Sequence, residues 1–173
     1  VNVSPFLLHY CFENNITVSF MTESGKFLAR AHGPSQGNVL LRRSQYRIAD
    51  SEELSNPISK SIITAKLANS RCLMKRVIRD YSEKRELTQT IKNESELLVL
   101  IKSIQNVENS NSLRGIEGEA ASKYFASFNE FISIDEEWAK IKGRNRRPPM
   151  DPINATLSFL YSLLLHDCAS ALE

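Results

Sequence analysis

The sequence predicts an α+β fold that is mainly α: the remnant of an N-terminal β domain, a helix plus a β-hairpin, followed by an all-α domain. Two patterns carry the class. Ile16-Thr-Val-Ser-Phe-Met21 alternates and is rich in β-branched residues, and Lys26-Phe-Leu-Ala-Arg-Ala31 returns after a turn as a second strand. After residue 37 everything reads as helix or loop, with apolar residues at helical spacing. A third point sets the architecture. A hairpin alone is marginal in water, so its partner strands are expected upstream of Val1, and the chain is expected to be a piece of a longer protein.

In chain order, Ser4-Pro5 marks a helix start, with proline suited to the first turn, and this helix runs through Leu7, Leu8 and Cys11 to Asn14-Asn15. Glu23-Ser-Gly25 makes the hairpin turn. Residues 49–57, ADSEELSNP, form a polar, acidic linker between a partial β domain at 1–48 and an α-helical domain at 58–173 that is truncated at its C-terminal end. Helices are expected at about 57–80, 94–107, 112–132 and 151–172. The final residues, HDCASALE, still read as helix with no capping glycine.

Of the 173 residues, 42% are hydrophobic and 24% charged, which supplies a buried core and argues against disorder. The net charge of +2 conceals an uneven distribution: sixteen of the 22 Lys and Arg fall in three stretches that contain no acid. These are residues 25–49 (with Arg42 and Arg43), 58–79, and 138–150 (with Arg144, Arg146 and Arg147). They point to a polyanionic partner. Cys11, Cys72 and Cys168 are odd in number and far apart, which excludes a disulfide framework or a CxxC metal knuckle; buried, reduced thiols in a cytosolic protein are expected. The longest apolar stretch, 155–165, is too short to span a bilayer, and a membrane role is not expected.

Residues 113–125, LRGIEGEAASKYF, place two glutamates on one helix. At about 100° per residue, Ala121, Tyr124, Phe125, Phe128, Phe131 and Ile132 fall within roughly 80° of Glu117, so Glu117 faces inward. Glu119 falls about 200° away and stands four residues before Lys123, the favourable order for a surface ion pair. A carboxylate facing a core must be protonated, paired or bound to a metal. Glu117 is therefore either one half of a structural salt bridge, with Arg114 or an arginine of another helix, or a metal-binding or acid/base group. Gly115 and Gly118 beside it would let a backbone, a ligand or an ion approach closely.

The loop KIKGRNRRPPMDPIN presents Arg144, Arg146 and Arg147 as guanidinium forks suited to phosphate oxygens, or is an ordinary solvated basic loop. Asp151 then caps a helix with Pro152 at its first position. Along that helix Asn154, Ser158, Tyr161 and Ser162 form a polar stripe, either core hydrogen bonds or the lining of a site. His166 and Asp167 are adjacent, point about 100° apart and are structural. His9 and His32 are isolated, with no ligand-spaced partner. No Ser/His/Asp arrangement, Walker loop or GxGxxG signature is present.

LRGIEGEAASKYF together with RNRRPPMDPINATLSFLYSLL resembles the family of CRISPR-associated endonucleases and integrases called Cas-one, in its subtype I-C branch; FENNITVSFMTESGKFLAR and GNVLLRRSQYR are similar to that family's N-terminal domain. The resemblance implies an N-terminal β domain, an all-α catalytic domain and a homodimer built through the β domains, in a prokaryotic cytoplasm. It implies an enzyme that cuts DNA and, with the small partner Cas-two, joins prespacers to a CRISPR repeat by transesterification. The family's divalent ion, Mg²⁺ or Mn²⁺, is held by a glutamate, a histidine and an aspartate, and only the glutamate, Glu117, has its counterpart here. Asn154 and Tyr161 match positions lining the active site. The arginine loop matches a DNA-contacting region, and Arg42 and Arg43 are expected DNA contacts. The histidine and aspartate are expected after Glu173, so the 173-residue piece is expected to be inactive by itself. The competing class is a non-enzymatic helical nucleic-acid-binding module in which Glu117 is an ion-pair partner.

Overall fold

In the computed structural model, which describes residues 2–23, 26–33, 38–134 and 136–172, the chain is α+β and mainly α, as its sequence predicts. It forms two compact units, Val1–Arg42 with Asn145–Glu173, and Arg43–Arg144. The division does not fall in the expected linker at 49–57. Helices α2 (Val39–Ala49) and α3 (Glu52–Tyr81) are separated only by Asp50 and Ser51. The acidic residues open α3 rather than link domains: Ser51 Oγ accepts from Leu54 N at 3.4 Å, and Glu52 and Glu53 in the first turn complement the positive end of the helix. Pro57 therefore lies inside the helix instead of starting it.

In the first unit, α1 (Pro5–Glu13) begins with Ser4 Oγ accepting from Leu7 N at 3.2 Å and Pro5 in its first turn. It ends at Asn15, whose φ of 56° is a left-handed conformation that asparagine tolerates. Strands β1 (Val18–Met21) and β2 (Phe27–Ala31) pair antiparallel, with Val18 opposite Ala31 and a register shift between Phe20 and Met21. Thr22 N donates to Lys26 O at 2.8 Å and closes the hairpin; the expected turn residues Ser24 and Gly25 lie outside the described residues. Gly33 lets the chain leave the hairpin against α1, because a Cβ there would meet Phe12 Cβ at 3.0 Å. Helix α7 (Pro152–Leu172) belongs to the same unit.

The second unit is built on α3, α4 (Thr88–Ser103) and α5 (Ser110–Ala126), followed by the short α6 (Phe128–Phe131). Leu67, Ile104, Val107, Leu113 and Ala120 form its core cluster, with Ile63, Leu100, Ile101 and Ile116 packed against it. Two helices differ from their expected bounds for a tertiary reason. Helix α4 starts six residues before the expected 94, although Leu87 offers no side-chain cap. The Glu130 carboxylate supplies that cap from a distance, accepting from Gln89 N at 3.2 Å, Thr90 N at 2.8 Å and Thr90 Oγ1 at 2.5 Å. The expected helix 112–132 is broken at the fully buried Ser127. There Ser127 N donates to both Lys123 O and Tyr124 O as the last turn tightens, and Asn93 Nδ2 of α4 holds the end of the helix, donating to Ser127 Oγ at 2.9 Å and to Lys123 O at 2.8 Å.

Cys72 and Cys168 are exposed and Cys11 is half-buried, which corrects the expectation of buried thiols. Cys72 lies about 140° around α3 from the core residue Leu67, so its helix turns it outward. Among the described residues no helix is long and apolar enough to cross a membrane.

Candidate functional site

Helix α5 is set by Asn109, whose Oδ1 accepts from Ser112 N at 2.8 Å, and by Glu52 of α3, which accepts from Ser110 N at 2.9 Å and Ser110 Oγ at 2.7 Å. The backbone and hydroxyl donors of Ser110 hold the Glu52 carboxyl below its ordinary pKa. Leu113 and Ala120 of α5 are buried, and Ile116, Glu117, Ala121 and Tyr124 are half-buried, following one another at intervals of three and four. Glu117 is thus in the inward stripe that periodicity assigns it, with its side chain 32% exposed. Glu119 is on the outer face, 3.3 Å from Lys123. Lys123 also meets Glu96 of α4, and that carboxylate, ahead of Glu119, holds its ammonium above the usual lysine pKa.

The counter-charge of Glu117 is neither Arg114 nor another arginine. It is Lys66 of α3, whose Nζ donates to Glu117 Oε1. Sequence reasoning counted Lys66 only as part of a basic stretch, and no local signal links two residues 51 positions apart. Several other cations of that stretch are occupied as well. Arg71 stands 2.8 Å from Glu94 of α4, Arg76 and Arg79 meet Asp80, and Lys60 Nζ donates to Gln105 O at 3.2 Å. An acid-free run in sequence is therefore not an acid-free surface.

Gly115 and Gly118 flank Glu117 in open space: a Cβ on either would meet nothing within 4 Å. Among the described residues nothing fills the room they leave. The carboxylate is a hard oxygen donor on a partly exposed, unobstructed helix face, and it fits one position around a divalent ion. Among the described residues no group of three His, Cys, Asp or Glu could hold a metal.

The other expected site residues belong to different parts of the fold. Asn154, in the first unit, is fully buried at the start of α7. Its backbone N donates to Asp151 Oδ1 at 2.7 Å, its Nδ2 to Asp151 Oδ2 at 2.6 Å, and its Oδ1 accepts from Asn145 N at 3.1 Å. Asn145 Oδ1 in turn accepts from Met150 N at 2.7 Å, so these residues pin the proline loop to the helix. Burial pushes the Asp151 carboxyl up, but hydrogen bonds from Asn154, Asn145 and the Ile153 backbone outweigh it and hold the group below its ordinary pKa. Within the polar stripe, Ser162 Oγ donates to Ser158 O at 2.9 Å, and Tyr161 is exposed. In the arginine loop Arg146 and Arg147 are exposed and Arg144 is half-buried; on α2 Arg43 is exposed and Arg42 half-buried.

His166 stacks on Phe27, with ring centroids 4.4 Å apart, as a structural residue. His9 is not isolated: Glu13, one helical turn on, lies 3.4 Å from its Nε2.

A family model described as CRISPR associated protein Cas1 matches residues 1–173. The chain belongs to the Cas1 family. It is 42% identical to the CRISPR-associated endonuclease Cas1 1 of Chlorobaculum tepidum, an alignment covering 100% of this chain and 50% of that relative. The Cas1 chain thus spans about half the length of the curated relatives it matches. Among solved structures it is similar to a Cas6-RT-Cas1–Cas2 complex, with 28% identity and a TM-score of 0.70 over 96% of this chain and 18% of that one. A CAS1 protein from Thermotoga maritima, 23% identical, has the same fold, with a TM-score of 0.74 over 98% of this chain and 50% of that one.

Proposed function

We propose that this Cas1 chain is part of a metal-dependent DNA endonuclease and integrase of CRISPR adaptation, in which Glu117 is one oxygen ligand of Mg²⁺ or Mn²⁺. The observation that carries the reading is the position of Glu117: a carboxylate in the inward stripe of α5, partly open to solvent, inside the GIEG segment of a chain whose family's curated members are named endonucleases. The other metal ligands, a histidine and an aspartate, come from the part of the protein that this chain does not span. Glu117 would help to hold an ion whose chemistry, when bound, would be to activate a hydroxyl nucleophile and stabilise charge on the phosphate under attack. The chain's own residues hold the substrate. Glu117 offers its carboxylate, while exposed Arg43, Arg146 and Arg147, with Arg42 and Arg144 beside them in sequence, neutralise the DNA backbone.

In this reading the partners are prespacer and repeat DNA, a second copy of the protein, and Cas2, with which the similar Cas6-RT-Cas1 structure is assembled. The motifs favour the subtype I-C branch, and the protein acts in the cytoplasm. The fragment alone, with one ligand, does not cut.

Replacing Glu117 by Ala in the full-length protein is expected to abolish metal-dependent cleavage of branched DNA, while Glu119→Ala retains it. Equal cleavage by wild type and Glu117→Ala would sink the assignment. The Lys66–Glu117 ion pair favours a second reading, a non-enzymatic helical DNA-binding module in which that pair is structural. Titration with Mn²⁺ separates the two: only the enzyme has a site that disappears in Glu117→Ala.

A further inference from the structure

Glu117 is already paired in this structure. Lys66 precedes the core residue Leu67 on α3, and its ammonium reaches across the seam to Glu117 Oε1, with its own side chain 51% exposed. Among the described residues Lys66 is the only cation paired with Glu117. A carboxylate set between Leu113, Ile116, Ala120 and Ala121 needs such a counter-charge, since part of its hydration is lost. A divalent ion on the same carboxylate would supply that charge instead. The two cations compete for the one carboxylate. At equal separation, the repulsion between a divalent ion and an ammonium is twice the attraction within one ion pair of unit charges.

We infer that Lys66 is the built-in counterion of Glu117 in the metal-free protein, and that a divalent cation takes Glu117 by expelling the Lys66 ammonium, which is then free for a phosphate oxygen. Lys66 is a positioning residue here: it keeps the empty carboxylate neutralised and competes with the ion. The inference rests on Glu117 being a metal ligand, and its test must fail separately from that reading.

Two measurements on the full-length protein do this: Mn²⁺ affinity by titration calorimetry, and the rate at which Lys66 is acylated by a water-soluble succinimidyl ester, followed by mass spectrometry. An ammonium held on a carboxylate reacts slowly. Lys66 is therefore expected to acylate several-fold faster once Mn²⁺ is added, and to be fast with or without metal in Glu117→Gln. Lys66→Gln should bind Mn²⁺ about two- to fivefold more tightly, the range expected for losing a partly exposed ion pair that competes. Should Lys66→Gln fail to fold, Lys66→Met keeps the aliphatic stem and carries the same expectation. Mn²⁺ binding that survives Glu117→Gln removes the ligand reading itself. Binding that is lost in Glu117→Gln, with Lys66 acylation unmoved by metal and affinity unchanged in Lys66→Gln, overturns the Lys66 inference alone.

Discussion

Glu117 and Glu119 are two residues apart and have different environments, and the difference follows from helical period alone. The inward stripe of α5 and the outward pair of Glu119 with Lys123 were both legible in thirteen residues, because 3.6 residues per turn decides which side faces a core. Lys66 was not, because its partnership with Glu117 exists only once α3 and α5 pack. Asn154 belongs to the same scale. Sequence reading placed it in a polar stripe; the structure buries it completely in bonds to Asp151 and Asn145. The Asp151 carboxyl is held below its ordinary value of 3.8, so its stabilisation is complete at neutral pH and is lost as pH falls through the folded pKa. Asp151→Ala is expected to cost about 1 kcal/mol near neutral pH as a lost helix cap. Melting curves of the two proteins should converge only as pH falls through the lowered folded pKa, where the wild-type carboxyl is protonated too; a constant gap down to acid would show that the charge is idle.

Among elements, α7 and α3 contrast with α4. Local capping chemistry starts α7 at Asp151-Pro152, and the sequence placed it within a residue of its observed start. The cap on α3, Ser51, was present in the sequence but hidden in a run read as linker. For α4 no local signal exists, since its cap is Glu130, 40 residues away from Thr90. Replacing Glu130 by Ala strips the first turn of α4 of its acceptor and leaves the buried Thr90 hydroxyl unsatisfied, a loss of about 2 kcal/mol. Hydrogen exchange is the sharper check: the Gln89 and Thr90 amides should lose protection while those in the middle of α4 keep it. The hairpin, with its register shift, was legible as a pair of strands but not in its bulge, which depends on how the two strands meet.

For the whole molecule, charge is where sequence and space diverge most. The three acid-free basic stretches look equivalent in order along the chain. Packing neutralises much of the second, through Glu117, Glu94 and Asp80, and leaves Arg146 and Arg147 of the third exposed. Duplex DNA binding by the full-length protein should follow the exposed cations. Replacing Arg146 and Arg147 by Gln should flatten the dependence of log affinity on log salt by roughly 0.9 for each phosphate no longer neutralised. Arg71→Gln should leave that slope unchanged in fluorescence anisotropy titrations, and equal effects from the two sets would contradict this assignment of the free cations. What the sequence determined by itself is everything that depends on neighbours within about one or two helical turns: the class, the strands, the helix stripes and the inward turn of Glu117. Only the tertiary structure decided where α4 begins and α5 breaks, which cations stay exposed, and that Lys66 meets Glu117. Those features need groups tens of residues apart, brought together by burial of Leu67, Ile104 and Leu113 in one core.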